Sequence, residues 1–107
     1  YPSGHTAHGW LEALLPAHLP PVRAGAILAR GRAYGESRAV CGSHSLSAVQ
    51  AGYLAGATTY AALHSSPSFR RDVARARAEL ARLRRHAGAP DPTICAGQAA
   101  ALAERPW

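Results

Sequence analysis

Pro2-Ser3-Gly4-His5 opens this 107-residue chain, and Ser37-Arg38, five intervening residues and His44 follow. Those residue types can build a phosphate site from protein groups alone. A Ser-Gly turn at the start of a helix aims backbone N–H groups and a hydroxyl at phosphate oxygens, where the helix dipole also favours an anion. Arg38 can clamp two of those oxygens with a planar fork that lysine lacks. Two histidines then divide the chemistry: one attacks phosphorus and the other protonates the departing alcohol. The first block alone is a weak signal, and its joint occurrence with the second is a strong one.

On these blocks, and on the stretches YPSGHT, ILARGRAYGESR and LHSSPSF, the chain resembles the C-terminal half of a bacterial class A non-specific acid phosphatase. That family sits in the type 2 phosphatidic acid phosphatase and vanadium haloperoxidase superfamily. The likeness runs from Tyr1 to about Leu83 in the family's order. It implies an all-α fold like the C-terminal part of the acid phosphatase and haloperoxidase fold, and metal-free hydrolysis of phosphate monoesters through a phosphohistidine, with no cofactor. Carried over residue by residue, it implies that Ser3, Gly4 and Arg38 bind phosphate, that His5 is the general acid, and that His44 is the nucleophile. Inorganic phosphate or vanadate would be site ligands, and the location implied is periplasmic or secreted.

Two departures matter. The family's first block, a Lys, six residues and Arg-Pro, should precede the second, but here Tyr1 comes one residue before it. Arg105-Pro106 lies in the wrong order, with Gln98 where the lysine should stand, and is read as coincidence. The other departure is Ala48, where the family pattern has an aspartate. Such a carboxylate accepts from one imidazole nitrogen so that the other aims a lone pair at phosphorus, and losing a tautomer-setting acid can cost about 10⁴-fold in rate. Ser47 or Glu36 are the candidates for a weaker acceptor. Impaired catalysis is therefore expected. The alternatives are a non-catalytic phosphate-binding remnant and a small helical interaction module, with a homo-oligomer left open.

The elements that must position these residues read as about five helices in a bundle. Alanine occupies 25 positions and phenylalanine one, so helix propensity is high and core side chains are small. No alternating strand pattern occurs, and glycines and prolines fall between apolar stretches. A first helix is predicted from Gly4 or His5, broken by Pro16, Pro20 and Pro21; a second over 22–36, with Ile27, Leu28 and Tyr34 on its apolar side; and a loop or frayed end over 37–43 that delivers Arg38 and His44. A third over 47–63 is the central packing element, its Gly52 and Gly56 permitting close helix contact. The arginine-rich fourth follows Ser66-Pro67, and a last segment covers about 93–104. Residues 1–87 are assigned to the phosphatase-like core and 88–107 to a linker and helical tail.

All twelve basic residues are arginines, methionine is absent, and the net charge is +6. Seven arginines lie between Arg70 and Arg85, off an apolar stripe of Phe69, Val73, Ala76, Leu80, Leu83 and Ala87. That reads as a solvated helix face. Without interleaved aromatics for base stacking, no nucleic-acid partner is expected. The Leu46–Leu63 run is too weakly hydrophobic for a membrane span and is read as a core helix. Cys41 and Cys95 could pair, stay free or bridge two molecules. His5 with His8, and Cys41 with His44, have metal-compatible spacings, but neither pair is completed and no metal site is expected. A start at tyrosine without methionine is expected of a fragment, a processed product or a partial gene.

Overall fold

The computed structural model describes residues 1–19 and 21–104. The expectations for Pro20 and for Arg105-Pro106 fall outside those residues. Five α-helices and no strand are found among the described residues: α1 Gly4–His18, α2 Ala24–Val40, α3 Leu46–Leu63, α4 Pro67–His86 and α5 Pro92–Ala103, with a 3-10 turn at Pro21–Arg23. The all-α expectation holds.

Short polar side chains start four of the five helices, because each accepts from an N–H that the first turn leaves unpaired. Ser3, Ser45, Ser66 and Asp91 serve as caps of α1, α3, α4 and α5. The helix α2 has no side-chain cap and is entered through the 3-10 turn.

Two boundaries differ from expectation. Pro16 does not end α1, which runs one residue pair further to His18, its last turn closed by Leu19 N–H on the Pro16 carbonyl at 3.2 Å. A proline this close to the end forfeits a single helical hydrogen bond. The helix α2 continues to Val40, four residues past the expected end, so of the loop or frayed end expected over 37–43 it is the helix end that carries Arg38, on its last turn.

Packing depends on small residues. The helix α1 lies against both α2 and α3, which touch each other less. A Cβ added at Gly52 would stand 2.8 Å from the Ser3 carbonyl oxygen, and one at Gly56 would stand 2.6 Å from that of Ala7. The Gly52 and Gly56 pair thus sets how closely α3 approaches α1. On α2 the buried positions are Gly31 and Gly35, whereas the larger Ile27 and Leu28 are only partly covered and Tyr34 is exposed.

Small side chains make a thin core. The buried apolar residues are Ala13, Ala17, Ala48, Val49 and Val73. The molecule measures 41 × 40 × 16 Å, and the short axis is little more than one helix diameter of about 10–12 Å. Its radius of gyration, 15.5 Å, exceeds the roughly 13 Å of a compact domain this long. Leu54 and Ile94 consequently stay more than half exposed.

The arginine-rich α4 docks through its first half only. Val73 is buried and Phe69, Ala76 and Leu80 are partly covered, whereas Leu83 and Ala87 are exposed. Phe69 stands edge-on to Tyr60 and His64, and Arg77 Nη2 donates to the His18 carbonyl at 3.0 Å. Cys41 and Cys95 are both free and exposed. No helix among the described residues is long and apolar enough to cross a membrane.

Candidate active site

Three helix ends meet at one edge of the layer. The N-terminus of α1 carries Ser3, Gly4 and His5; the last turn of α2 carries Arg38; and a turn over 41–44 leads to His44 just before the Ser45 cap of α3. Gly42 adopts φ +73°, the left-handed conformation that lets the chain reverse here. His44 N–H then returns to the Arg38 carbonyl at 3.0 Å, which fixes the spacing between arginine and histidine. Ser3 N–H donates to the Ala48 carbonyl at 3.0 Å and ties the start of α1 to α3.

The two histidines are in direct contact. His5 Nδ1 and His44 Nε2 stand 3.2 Å apart, with ring centroids at 5.4 Å. A hydrogen bond between two imidazole nitrogens needs one N–H and one lone pair. One ring is therefore a proton donor and the other an acceptor, the same division of roles that acid and nucleophile require.

Arg38 is held from two sides. Its Nε and Nη2 donate to Ser37 Oγ at 3.1 and 3.0 Å, and its guanidinium lies 5.2 Å from the centre of the Tyr34 ring. Ser37 Oγ in turn donates to the Tyr34 carbonyl at 2.7 Å. Neither α1 nor α3 has an acidic residue in its first turn, so two positive helix ends remain uncompensated beside Arg38. The local field favours an anion.

Ser3 occupies a different position from the open turn that its motif suggested. Its side chain is fully buried, and its hydroxyl accepts from Thr6 N–H at 3.1 Å and from Thr6 Oγ1 at 3.0 Å. The capping use of Ser3 is what the structure displays. The backbone N–H groups of Gly4 and His5, in the first turn of α1, are the ones geometry leaves for an outside acceptor.

Sequence reasoning gave no site role to Thr6 or Tyr34, and named Ser37 only as the neighbour of Arg38. Tyr34 precedes Arg38 by four residues, the helical spacing that brings side chains together, so this pairing was legible once α2 was known to continue. Thr6 carried no signal beyond its place three residues after a cap. His8, grouped with His5 as a metal-compatible pair, contacts Glu12 at 3.1 Å, and the Cys41 thiol contacts the Ser43 hydroxyl at 3.0 Å. Hydrogen bonding with Ser43 holds the Cys41 thiol below its ordinary pKa, and the nearby charge of Arg38 acts in the same direction.

Comparison with known proteins gives this edge a context. The chain is 50% identical over 95 residues to the acid phosphatase of Zymomonas mobilis, and 45% identical over 80 residues to the non-specific acid phosphatase of Salmonella typhimurium. It is 41% identical over 85 residues to that of Providencia stuartii. Over these stretches the chain is similar to acid phosphatases. The matches cover 89%, 75% and 79% of this chain but only 36%, 32% and 34% of the relatives, so the chain spans about a third of their length. No family model matches it.

Measured against the pattern expected of acid phosphatases, the departure at Ala48 is structural as well as chemical. Ala48 is buried at the third position of α3, with its N–H on Ser45 Oγ at 3.2 Å. Neither proposed substitute for the missing carboxylate reaches His44. Glu36 Oε1 accepts from Arg32 Nε at 2.7 Å, and the Ser47 hydroxyl contacts that of Ser45 at 3.1 Å. Among the described residues nothing hydrogen-bonds to His44 Nδ1.

Proposed function

We propose that this chain carries the hydrolytic site of a phosphomonoesterase, with His44 as nucleophile and His5 as general acid. The contact at 3.2 Å between the two imidazoles is the observation that carries the reading. Phosphate oxygens would be held by Arg38 and by the Gly4 and His5 N–H groups at the end of α1, with Ser3 shaping that turn.

In the first step a His44 nitrogen lone pair forms a bond to phosphorus while the bond from phosphorus to the ester oxygen breaks, and His5 gives that oxygen its proton. In the second, water attacks phosphorus, the phosphorus–nitrogen bond breaks, His5 takes a proton from the water, and phosphate leaves. Both displacements are in-line, so configuration at phosphorus is retained overall. A phosphoryl group cannot fit between nitrogens 3.2 Å apart, so substrate entry must part the pair. The histidine contact is the resting arrangement of the site.

The absence of a carboxylate on His44 Nδ1 supports slow turnover, since nothing fixes the tautomer. The same observation favours a second reading, a phosphate-binding homologue without catalysis, because the anion-holding groups are in place while the tautomer-setting one is not. Inorganic phosphate and vanadate are ligands under both readings. A periplasmic or secreted location and class A membership of the wider haloperoxidase superfamily belong to the same proposal, and the exposed apolar side chains leave room for a homo-oligomer or a helical interaction role.

Trapping tests the mechanism directly. Denaturing the protein during turnover of a labelled phosphate ester is expected to yield an acid-labile phosphoryl adduct on His44. Phosphate binding with no adduct and no turnover would move the assignment to the non-catalytic reading.

A further inference from the structure

A cleft of about 660 Å³ lies between α1, α2 and α5, and its lining is mostly apolar. Its two long walls are the same helix faces that carry the histidine and arginine of the site. On α1, His5, Gly9 and Ala13 succeed one another at four-residue steps, and on α2, Arg38, Tyr34, Gly31 and Ile27 do so at steps of four, three and four. Gly9, Ala13, Tyr34, Gly31 and Ile27 line the cleft, whereas His5 and Arg38 lie one turn beyond its near end.

Tyr34 joins the two regions. Its ring carries the Arg38 guanidinium, lines the cleft, and presses so close to Gly9 that any side chain there would collide with it. From His5 to Ala13 the wall extends about 12 Å at the helical rise. Ala99 and Leu102 of α5 line its far side. A cleft of this volume and apolar character is of the size that holds a small organic ligand.

We propose that this cleft is the leaving-group subsite of the His5, His44 and Arg38 site and that it takes an apolar chain or ring esterified to the phosphate. The inference rests on the phosphatase reading above, because the occupant is chosen by continuity with an anion site. An anionic head at Arg38 would bring the attached carbon skeleton to Tyr34, which touches Arg38 on one side and lines the cleft on the other. Beyond it the skeleton meets Ala13, Ile27, Ala99 and Leu102. Full burial of each added methylene would tighten binding by about fourfold, and burial in an open cleft by about twofold.

Calorimetric titration of this chain with methyl-, butyl- and octylphosphonate, which keep the anionic head and cannot be hydrolysed, separates the possibilities. The expected result is measurable methylphosphonate binding that strengthens with chain length. Ala99→Phe, which fills the cleft from the peripheral α5, and Leu102→Ala, which removes a wall, should each flatten that dependence and leave methylphosphonate unchanged. Circular dichroism would confirm that both variants keep their helices. Methylphosphonate binding with no gain from longer chains overturns the subsite and leaves the phosphate site standing. Octylphosphonate binding that survives Arg38→Ala undiminished also overturns it, since the cleft would then be an apolar surface unrelated to the site. Failure of all three phosphonates to bind removes the phosphatase reading and the subsite together.

Discussion

The α1, α2 and α3 layer and the α4 helix are built on opposite rules. In the layer, the contact positions are Gly31, Gly35, Gly52 and Gly56 with Ala13 and Ala17; Gly52 and Gly56 of α3 meet the α1 backbone, and Gly31 and Gly35 of α2 admit the side chains of Ala13 and Tyr53. In α4, the contact positions are Phe69, Val73, Ala76 and Leu80, an ordinary apolar stripe with arginines on the other face. Close approach leaves little room for one helix to shift against another, which is what a three-helix site edge needs. A stripe of longer side chains tolerates displacement, and α4 carries none of the proposed chemistry.

The largest expected change from breaking this arrangement or repairing it lies in rate. Ala48→Asp should raise kcat by about 10²-fold or more, with about 10⁴-fold as the ceiling, by giving His44 Nδ1 an acceptor. The position is the third of α3, where an acidic side chain also suits the helix dipole. Steady-state kinetics on both proteins, with thermal melting to check the fold, decides it; an unchanged kcat in a folded variant would mean that tautomer control is not what limits this site.

Next in size is the cost of filling the close contact. Gly56→Val should destabilise the chain by about 3 kcal/mol, because its Cβ would meet the Ala7 carbonyl oxygen at 2.6 Å. Leu83→Ala on the exposed half of α4 should stay within about 0.5 kcal/mol. Urea denaturation of the two variants measures the contrast, and similar losses would erase the distinction between the two regions.

Smaller still is the difference between two serine caps. Ser3→Ala removes a fully buried hydroxyl that accepts from both the backbone and the side chain of Thr6, and should cost about 2 kcal/mol. Ser66→Ala removes a longer bond, 3.4 Å to Phe69 N–H, from a partly exposed cap and should cost about 0.5 kcal/mol. Equal losses by chemical denaturation would argue that α1 is no more firmly set than α4.

The smallest effect concerns reactivity. With its thiol pKa lowered by Ser43 and Arg38, Cys41 should be alkylated by iodoacetamide at a lower pH than a cysteine in an unstructured peptide. Bound phosphate should slow the labelling, since Cys41 lies in the turn between Arg38 and His44. Mass spectrometry of the labelled chain reads both, and labelling indifferent to phosphate would place the anion elsewhere.

What the sequence disclosed follows the same division. Helices with a capping serine and a periodic apolar face, such as α4, were legible in both position and orientation. So was the Gly52 and Gly56 contact, because its four-residue spacing is visible in an otherwise apolar run. Gly31 and Gly35 lie on the same face of α2 as Ile27, Leu28 and Tyr34, but a glycine carries no apolar signal, so the two most buried positions of that face went unread. Ser37 and Arg38 were assigned to a loop or frayed helix end because the second helix was read as ending at Glu36, yet α2 runs four residues further, to Val40.

The site was legible as a set of residue types and not as a geometry. Nothing in the positions of His5 and His44 requires their rings to touch, since they lie 39 positions apart with three helix ends between them. Ser3 was read as a phosphate ligand from its motif, and the contacts its hydroxyl makes are with Thr6 N–H and Thr6 Oγ1. The tie between Ser3 N–H and the Ala48 carbonyl, which brings the two halves of the pattern together, is made by backbone and leaves no mark in the sequence.

The central claim is that His44 and His5 form a working hydrolytic pair in this chain. Hydrolysis of p-nitrophenyl phosphate by the purified chain and its His44→Ala variant, from about pH 4 to pH 8 with EDTA present, tests it most directly. Slow hydrolysis that survives EDTA and disappears in the variant is the predicted result. Equal rates in the two proteins, or no hydrolysis above buffer in either, would contradict it.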